Sequence, residues 1–130
     1  MEVEGAGRKR VLIVDDDRLL AETLRALIRE QAQAEIQVVT NGPAAATLLD
    51  TDVSFDAVIC DLAMPGIDGI ALYERLARRG SPLARRFLFV TGGVTSESAS
   101  AFLARAAVPC LQKPFDSRAL GSVLGPLLTE

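Results

Sequence analysis

The chain contains no histidine and no tryptophan. The first absence removes imidazole general acid/base chemistry and any histidine-dependent catalytic triad. It also prevents the chain from acting as a phosphohistidine donor. The two cysteines, Cys60 and Cys110, do not fall in a paired metal-binding spacing, so with no histidine a zinc site is excluded. Apolar runs are short. None approaches the roughly 20 residues that cross a bilayer, and the N-terminal MEVEGAGRKR lacks the apolar stretch of a signal peptide. These absences place the protein in the cytosol. A basic excess is missing as well: the net charge is −3, which does not describe a nucleic-acid surface. No internal repeat, low-complexity segment or long linker interrupts the 130 residues, a length that fits one domain with a buried core.

What is present alternates. Val11-Leu12-Ile13-Val14 is a β-branched apolar run of the kind found in buried strands. From Asp17 to Gln33, Leu20, Leu24, Leu27 and Ile28 mark one helical face. The same alternation continues with a strand at Glu35 to Thr40 and a short helix from Pro43 to about Asp50. A strand at Asp56 to Cys60 then precedes a helix from about Gly69 to Arg79. Phe87 to Val90 reads as a fourth strand, Ser96 to Ala106 as a helix, and Val108 to Gln112 as a fifth strand. Asp116 is placed to cap a last helix, which Gly121, Gly125 and Pro126 are expected to kink or fray. Five strands alternating with five helices imply an α/β fold, a parallel sheet with helices on both faces. Residues 1–9 read as a flexible leader and 10–130 as the domain.

In an open parallel sheet the C-terminal strand ends share one edge, where ligands bind. Asp15, Asp16 and Asp17 follow the first strand, Asp61 the third, Thr91 the fourth and Lys113 the fifth. Two carboxylates about 4 Å apart repel by roughly 4 kcal/mol at an effective dielectric near 20. Such a cluster is tolerable around a divalent cation or a lysine, and an all-oxygen donor set suits Mg²⁺. One carboxylate can then attack a phosphoryl group while Lys113 and Thr91 stabilise its oxygens. Each residue alone has a plainer reading: the aspartates as helix caps, Thr91-Gly92-Gly93 as a loop, Lys113 as a solvated charge. Their conjunction favours the chemical one. Three other readings of the cluster stay open: a phosphatase working through an aspartyl-phosphate, a flavodoxin-like cofactor binder and a degenerate scaffold. Position 63, where such a phosphatase would carry a second carboxylate, is alanine, and the acidic first loop would repel a flavin phosphate.

The segments Val11 to Asp17, Asp61-Leu62-Ala63-Met64-Pro65-Gly66-Ile67-Asp68-Gly69, Val90-Thr91-Gly92 and Lys113-Pro114-Phe115 resemble, in order and over about residues 10–128, the motifs of response-regulator receiver domains. The resemblance implies a doubly wound, flavodoxin-like (βα)5 fold with strand order 2-1-3-4-5. It implies Asp61 as phosphoacceptor, Asp15 and Asp16 as the acidic pair, and Mg²⁺ held by these with Asp61 and the Ala63 carbonyl. Thr91 becomes the switch hydroxyl, Lys113 the phosphate-binding lysine and Lys113-Pro114 a cis bond. The implied role is a phosphoacceptor in a two-component system rather than a conventional enzyme. Its donor would be a histidine kinase or histidine phosphotransfer domain and its output a protein contact. The stretch from Ser96 to Phe115 looks similar to receiver modules of hybrid sensor histidine kinases, so the chain is read as either a separate regulator or one domain of a larger kinase. Where many receivers carry an aromatic residue three positions before the lysine, this sequence has Cys110, a small core filler or, less simply, a redox-sensitive thiol.

Overall fold

The computed structural model describes residues 8–62, 64, 68–92 and 96–129. Its elements run β1 (Lys9–Val14), α1 (Arg18–Gln31), β2 (Ala34–Val39), α2 (Gly42–Thr51), β3 (Ala57–Asp61) and α3 (Gly69–Arg78), and continue through a 3₁₀ turn (Pro82–Arg86) to β4 (Phe87–Thr91), α4 (Glu97–Ala106), β5 (Cys110–Gln112) and α5 (Ser117–Thr129). The five strands are parallel and lie in the order β2-β1-β3-β4-β5. The expected doubly wound α/β fold and strand order are therefore those observed.

Strand periodicity divides the core in two, because successive side chains leave opposite faces of a sheet. Val11, Ile13, Ala57, Ile59, Leu88 and Val90 pack beneath α1 and α5, meeting Leu24, Ile28, Leu120 and Leu124. Leu12, Val14, Val58, Cys60, Phe87 and Phe89 face the other way, onto α2, α3 and α4. On that second side Tyr73, Phe87, Phe89 and Phe102 form an aromatic cluster with centroids 5.4 to 6.3 Å apart. Most of the chain's few aromatics are spent there.

Short polar side chains start the helices. Asp17 accepts from the Leu20 amide at 3.1 Å, Asn41 from Ala44 at 2.7 Å, Asp68 from Ala71 at 2.9 Å and Ser96 from Ala99 at 3.1 Å. Asp116 accepts from Ala119 at 2.8 Å, as the sequence leads one to expect. Gly80, at φ 70°, ends α3 in the left-handed conformation that glycine adopts without steric cost.

Most element ends shift by a residue or two from the sequence reading, and three differences have a clear physical reason. Strand β5 begins at Cys110 rather than Val108, since Pro109 has no amide to donate; its carbonyl accepts from Phe89 instead. The 3₁₀ turn at Pro82–Arg86 is unanticipated, as a five-residue piece carries no usable period. Helix α5 is continuous across Pro126 to Thr129. Burial of Leu120, Leu124, Leu127 and Leu128 overrides the poor local propensity, and Arg86 donates to the Leu127 carbonyl near the helix end at 2.6 Å. Gln31 reaches over from α1 beside Gly121 to donate to the Ser117 carbonyl at 2.9 Å.

Candidate functional site

Strand register builds the site. Val14 lies opposite Cys60, so the next residues, Asp15 and Asp61, emerge side by side where β1 and β3 end. Asp61 is aligned with Val90, and Thr91 with Gln112, so Thr91 and Lys113 follow on the same rim. Backbone bonds hold the rim together: Asp15 N–H donates to Val39 at 3.1 Å, Leu62 N–H to Val90 at 2.9 Å and Lys113 N–H to Thr91 at 2.8 Å. The Lys113–Pro114 bond is cis.

Carboxylate oxygens of Asp15, Asp16 and Asp61 lie within 4.8 Å of one another. Asp15 is 1% exposed and Asp61 9%, whereas Asp16 is open to solvent. The two oxygens of Asp15 are treated differently. Oδ1 accepts from the Asp17 amide at 2.8 Å. Among the described residues, Oδ2 is buried with no hydrogen-bond partner, and Lys113 Nζ pairs with it at 3.9 Å. Burial raises the Asp15 pKa above the usual carboxylate value; the Asp17 amide and Lys113 oppose that shift, and Asp16 and Asp17 reinforce it. An orphaned, buried carboxylate oxygen beside two further carboxylates has the donor chemistry of a hard divalent cation site. The residues present therefore fit such a metal.

The helix after β3 approaches unusually closely. A Cβ built on Gly69 would lie 2.5 Å from the Asp61 carbonyl and 2.9 Å from Phe89 Cε1. Its amide donates to Leu62 at 3.2 Å. Only glycine lets the start of α3 seat against the strand that carries Asp61. Cys60, buried beneath the site, donates its thiol to the Asp61 carbonyl at 3.3 Å. Burial first, and then the negative charge of Asp61, Asp15 and Asp68, hold that thiol well above its ordinary pKa, so it is a core thiol and not a nucleophile.

The structure thus brings together Asp15, Asp16, Asp61 and Lys113, with Thr91 partly buried on the same rim. Ala63, named as a carbonyl ligand, lies outside the described residues, as does Gly93. Cys110 is half-buried against the α2–α3–α4 side of the core rather than fully enclosed, and burial raises its pKa. Asp68 and Gly69 are the positions whose roles the sequence reading missed. The signal was there, since an aspartate directly before an apolar helical face is a cap.

Comparison with known proteins agrees with this geometry. The sequence profile of the response regulator receiver domain matches residues 11–124. The transcriptional regulatory protein FixJ of Azorhizobium caulinodans is 33% identical over 112 residues, covering 85% of this chain and 50% of that protein. The positive alginate biosynthesis regulatory protein of Pseudomonas aeruginosa is 35% identical over 116 residues, 88% of this chain and 45% of that protein. The chain thus spans about half the length of these curated relatives. Among solved structures, a protein from Chloroflexus aurantiacus assigned as a response regulator superposes with a TM-score of 0.78 at 31% identity, covering 95% of this chain and 99% of the other.

Proposed function

Because the chain belongs to the response regulator receiver family of two-component signalling, we propose that Asp61 is its phosphoacceptor and that Asp15, Asp16, Thr91 and Lys113 serve the transfer. The observation that carries this reading is the gathering of three carboxylates, with oxygens within 4.8 Å of one another, where Asp15 keeps a buried oxygen that has no hydrogen-bond partner among the described residues and lies 3.9 Å from Lys113.

In the transfer, an Asp61 oxygen attacks phosphorus, an O–P bond forms, and the P–N bond to a donor phosphohistidine breaks. The imidazole leaves with the electron pair and takes up a proton. The chain supplies no histidine of its own, so the donor is a separate kinase or phosphotransfer domain. Asp15, Asp16, Asp61 and the Ala63 carbonyl would hold Mg²⁺, which would supply charge neutralisation for the phosphoryl oxygens. Lys113 contributes a second positive charge from the end of β5, and its backbone N–H, donating to the Thr91 carbonyl, couples the two strand ends. The Thr91 hydroxyl donates to a phosphoryl oxygen and so senses the modification. The same residues assist hydrolysis, so the domain catalyses its own phosphorylation and dephosphorylation.

A donor must cover the rim around Asp61. Beside Lys113 lies an apolar cleft of about 220 Å³ formed by Leu20, Leu24, Leu27, Pro114 and Phe115, and Leu19 on the same helix is 78% exposed. That surface suits the apolar face of a donor helix. No helix among the described residues is long and apolar enough to cross a membrane, and we place the domain in the cytosol, as residues 10–130 of a regulator or of a hybrid kinase. Downstream, the added charge of about −1.5 to −2 biases a protein contact.

Incubation with phosphoramidate and Mg²⁺ is expected to add one phosphoryl group per chain, seen as intact mass, and EDTA to suppress the gain. An undiminished gain in EDTA would sink the metal-assisted reading.

A further inference from the structure

A groove of about 560 Å³ follows the outer side of β2 from Ala34 to Val38. Arg8, Arg10, Arg25 and Arg29 line it, against a single carboxylate, Glu35. This is a concentrated positive corner on a chain whose net charge is −3. The four arginines are not equally satisfied. Arg10 pairs with Asp52 at 3.4 Å and Glu35 at 3.7 Å, and its guanidinium sits 4.4 Å over the Phe55 ring. Arg25 Nε lies 3.6 Å from Glu22, but it is buried and makes no hydrogen bond among the described residues. Among the described residues, no ion pair involves Arg8 or Arg29.

The groove is bounded by residues 34–38 of β2 in unbroken succession. Consecutive strand residues point to opposite faces, so what the five share is the strand's outer edge. Among the described residues, strand β2 is terminal in the sheet and pairs only with β1. Its outer backbone amides and carbonyls are therefore available to a further strand. A second copy of the chain is a poor occupant, because it would bring an identical arginine cluster against this one.

We propose that this edge binds an extended acidic segment of a partner protein, added as a sixth strand, with backbone bonds to β2 and carboxylates on Arg8, Arg25 and Arg29. The backbone edge supplies affinity and the arginines select the charge. None of the residues lining the groove is one assigned to the Asp61 site, so it stands or falls independently of phosphotransfer.

The test is fluorescence polarisation of the full chain with a short labelled peptide of alternating glutamate and valine, with a lysine–valine peptide as control. Saturable, salt-sensitive binding of the acidic peptide alone is expected, unchanged by EDTA. Arg25→Gln/Arg29→Gln should weaken it about tenfold or more, as should N-methylation of alternate peptide amides, which removes backbone donors and leaves the charge. Should the first double variant fail to fold by circular dichroism, Arg8→Gln/Arg29→Gln provides the same comparison. Equal binding of the N-methylated peptide, tighter binding of a single-stranded oligonucleotide than of the peptide, or no saturable binding would each overturn the proposal.

Discussion

Asp15 shows how a single residue can hold a fold and a function in tension. Its carboxylate is buried, and burial raises its pKa. A raised carboxylate pKa means that the folded state binds the proton more tightly than the unfolded chain. Stability from this group is then fullest below about pH 4 and falls as pH rises through the folded value. Asp15→Asn removes that penalty. In EDTA at neutral pH the variant should melt a few degrees above wild type, with no advantage in acid, and thermal scans across pH would check this. It should also lose the rise in Tm that Mg²⁺ gives wild type. Gly69 is tied to the site by shape alone. Gly69→Ala forces a methyl group into the Asp61 carbonyl and the Phe89 ring, and should cost about 1–3 kcal/mol in urea unfolding. Phosphorylation should slow as well, because the atom displaced belongs to the acceptor's own backbone.

At the scale of elements, the side of the sheet under α2, α3 and α4 is held by aromatic packing. Phe102, the buried anchor of α4, meets Tyr73 and Phe89 edge-on. Phe102→Ala should cost about 3–5 kcal/mol by denaturant titration. Exposed charge joins α2 to α3: Arg75 grips both oxygens of Asp50, at 3.0 and 2.7 Å, and Arg79 adds a bond at 2.9 Å. The Arg75 hydrogen bond foremost holds the Asp50 pKa below its ordinary value. Its stabilisation is present above about pH 4 and lost as pH falls through the folded pKa. The difference in Tm between wild type and Asp50→Asn should therefore be small at pH 7, smaller still in high salt, and absent in strong acid. The elements were legible wherever a period could express itself: the Leu20-Leu24-Leu27-Ile28 stripe became α1, and the β-branched runs became β1 and β3. Where local chemistry and tertiary burial disagreed, the sequence misled. Helix α5 runs through Pro126 because four leucines are buried beneath it, and that burial is a property of the assembled sheet.

For the whole molecule, the alternating order of strands and helices forces a parallel sheet, and that sheet collects every strand end on one rim. This is why Asp15, Asp61, Thr91 and Lys113, distant in sequence, are legible as one group from the order of strands alone. Burial could not be read in the same way. Nothing in the Asp15-Asp16-Asp17 run says that the first is enclosed, the second exposed and the third a cap. Nor does any motif announce the arginine groove, whose members come from before β1, within β1 and the second half of α1. The account rests on Asp61 as the acceptor, and borohydride trapping tests this most directly. Reduction of an aspartyl-phosphate yields homoserine at the modified position. After phosphoramidate and Mg²⁺, peptide mapping should find homoserine at position 61 in wild type and none in Asp61→Asn. Homoserine at position 15 or 16 in wild type, or equal labelling of the variant, would contradict the account.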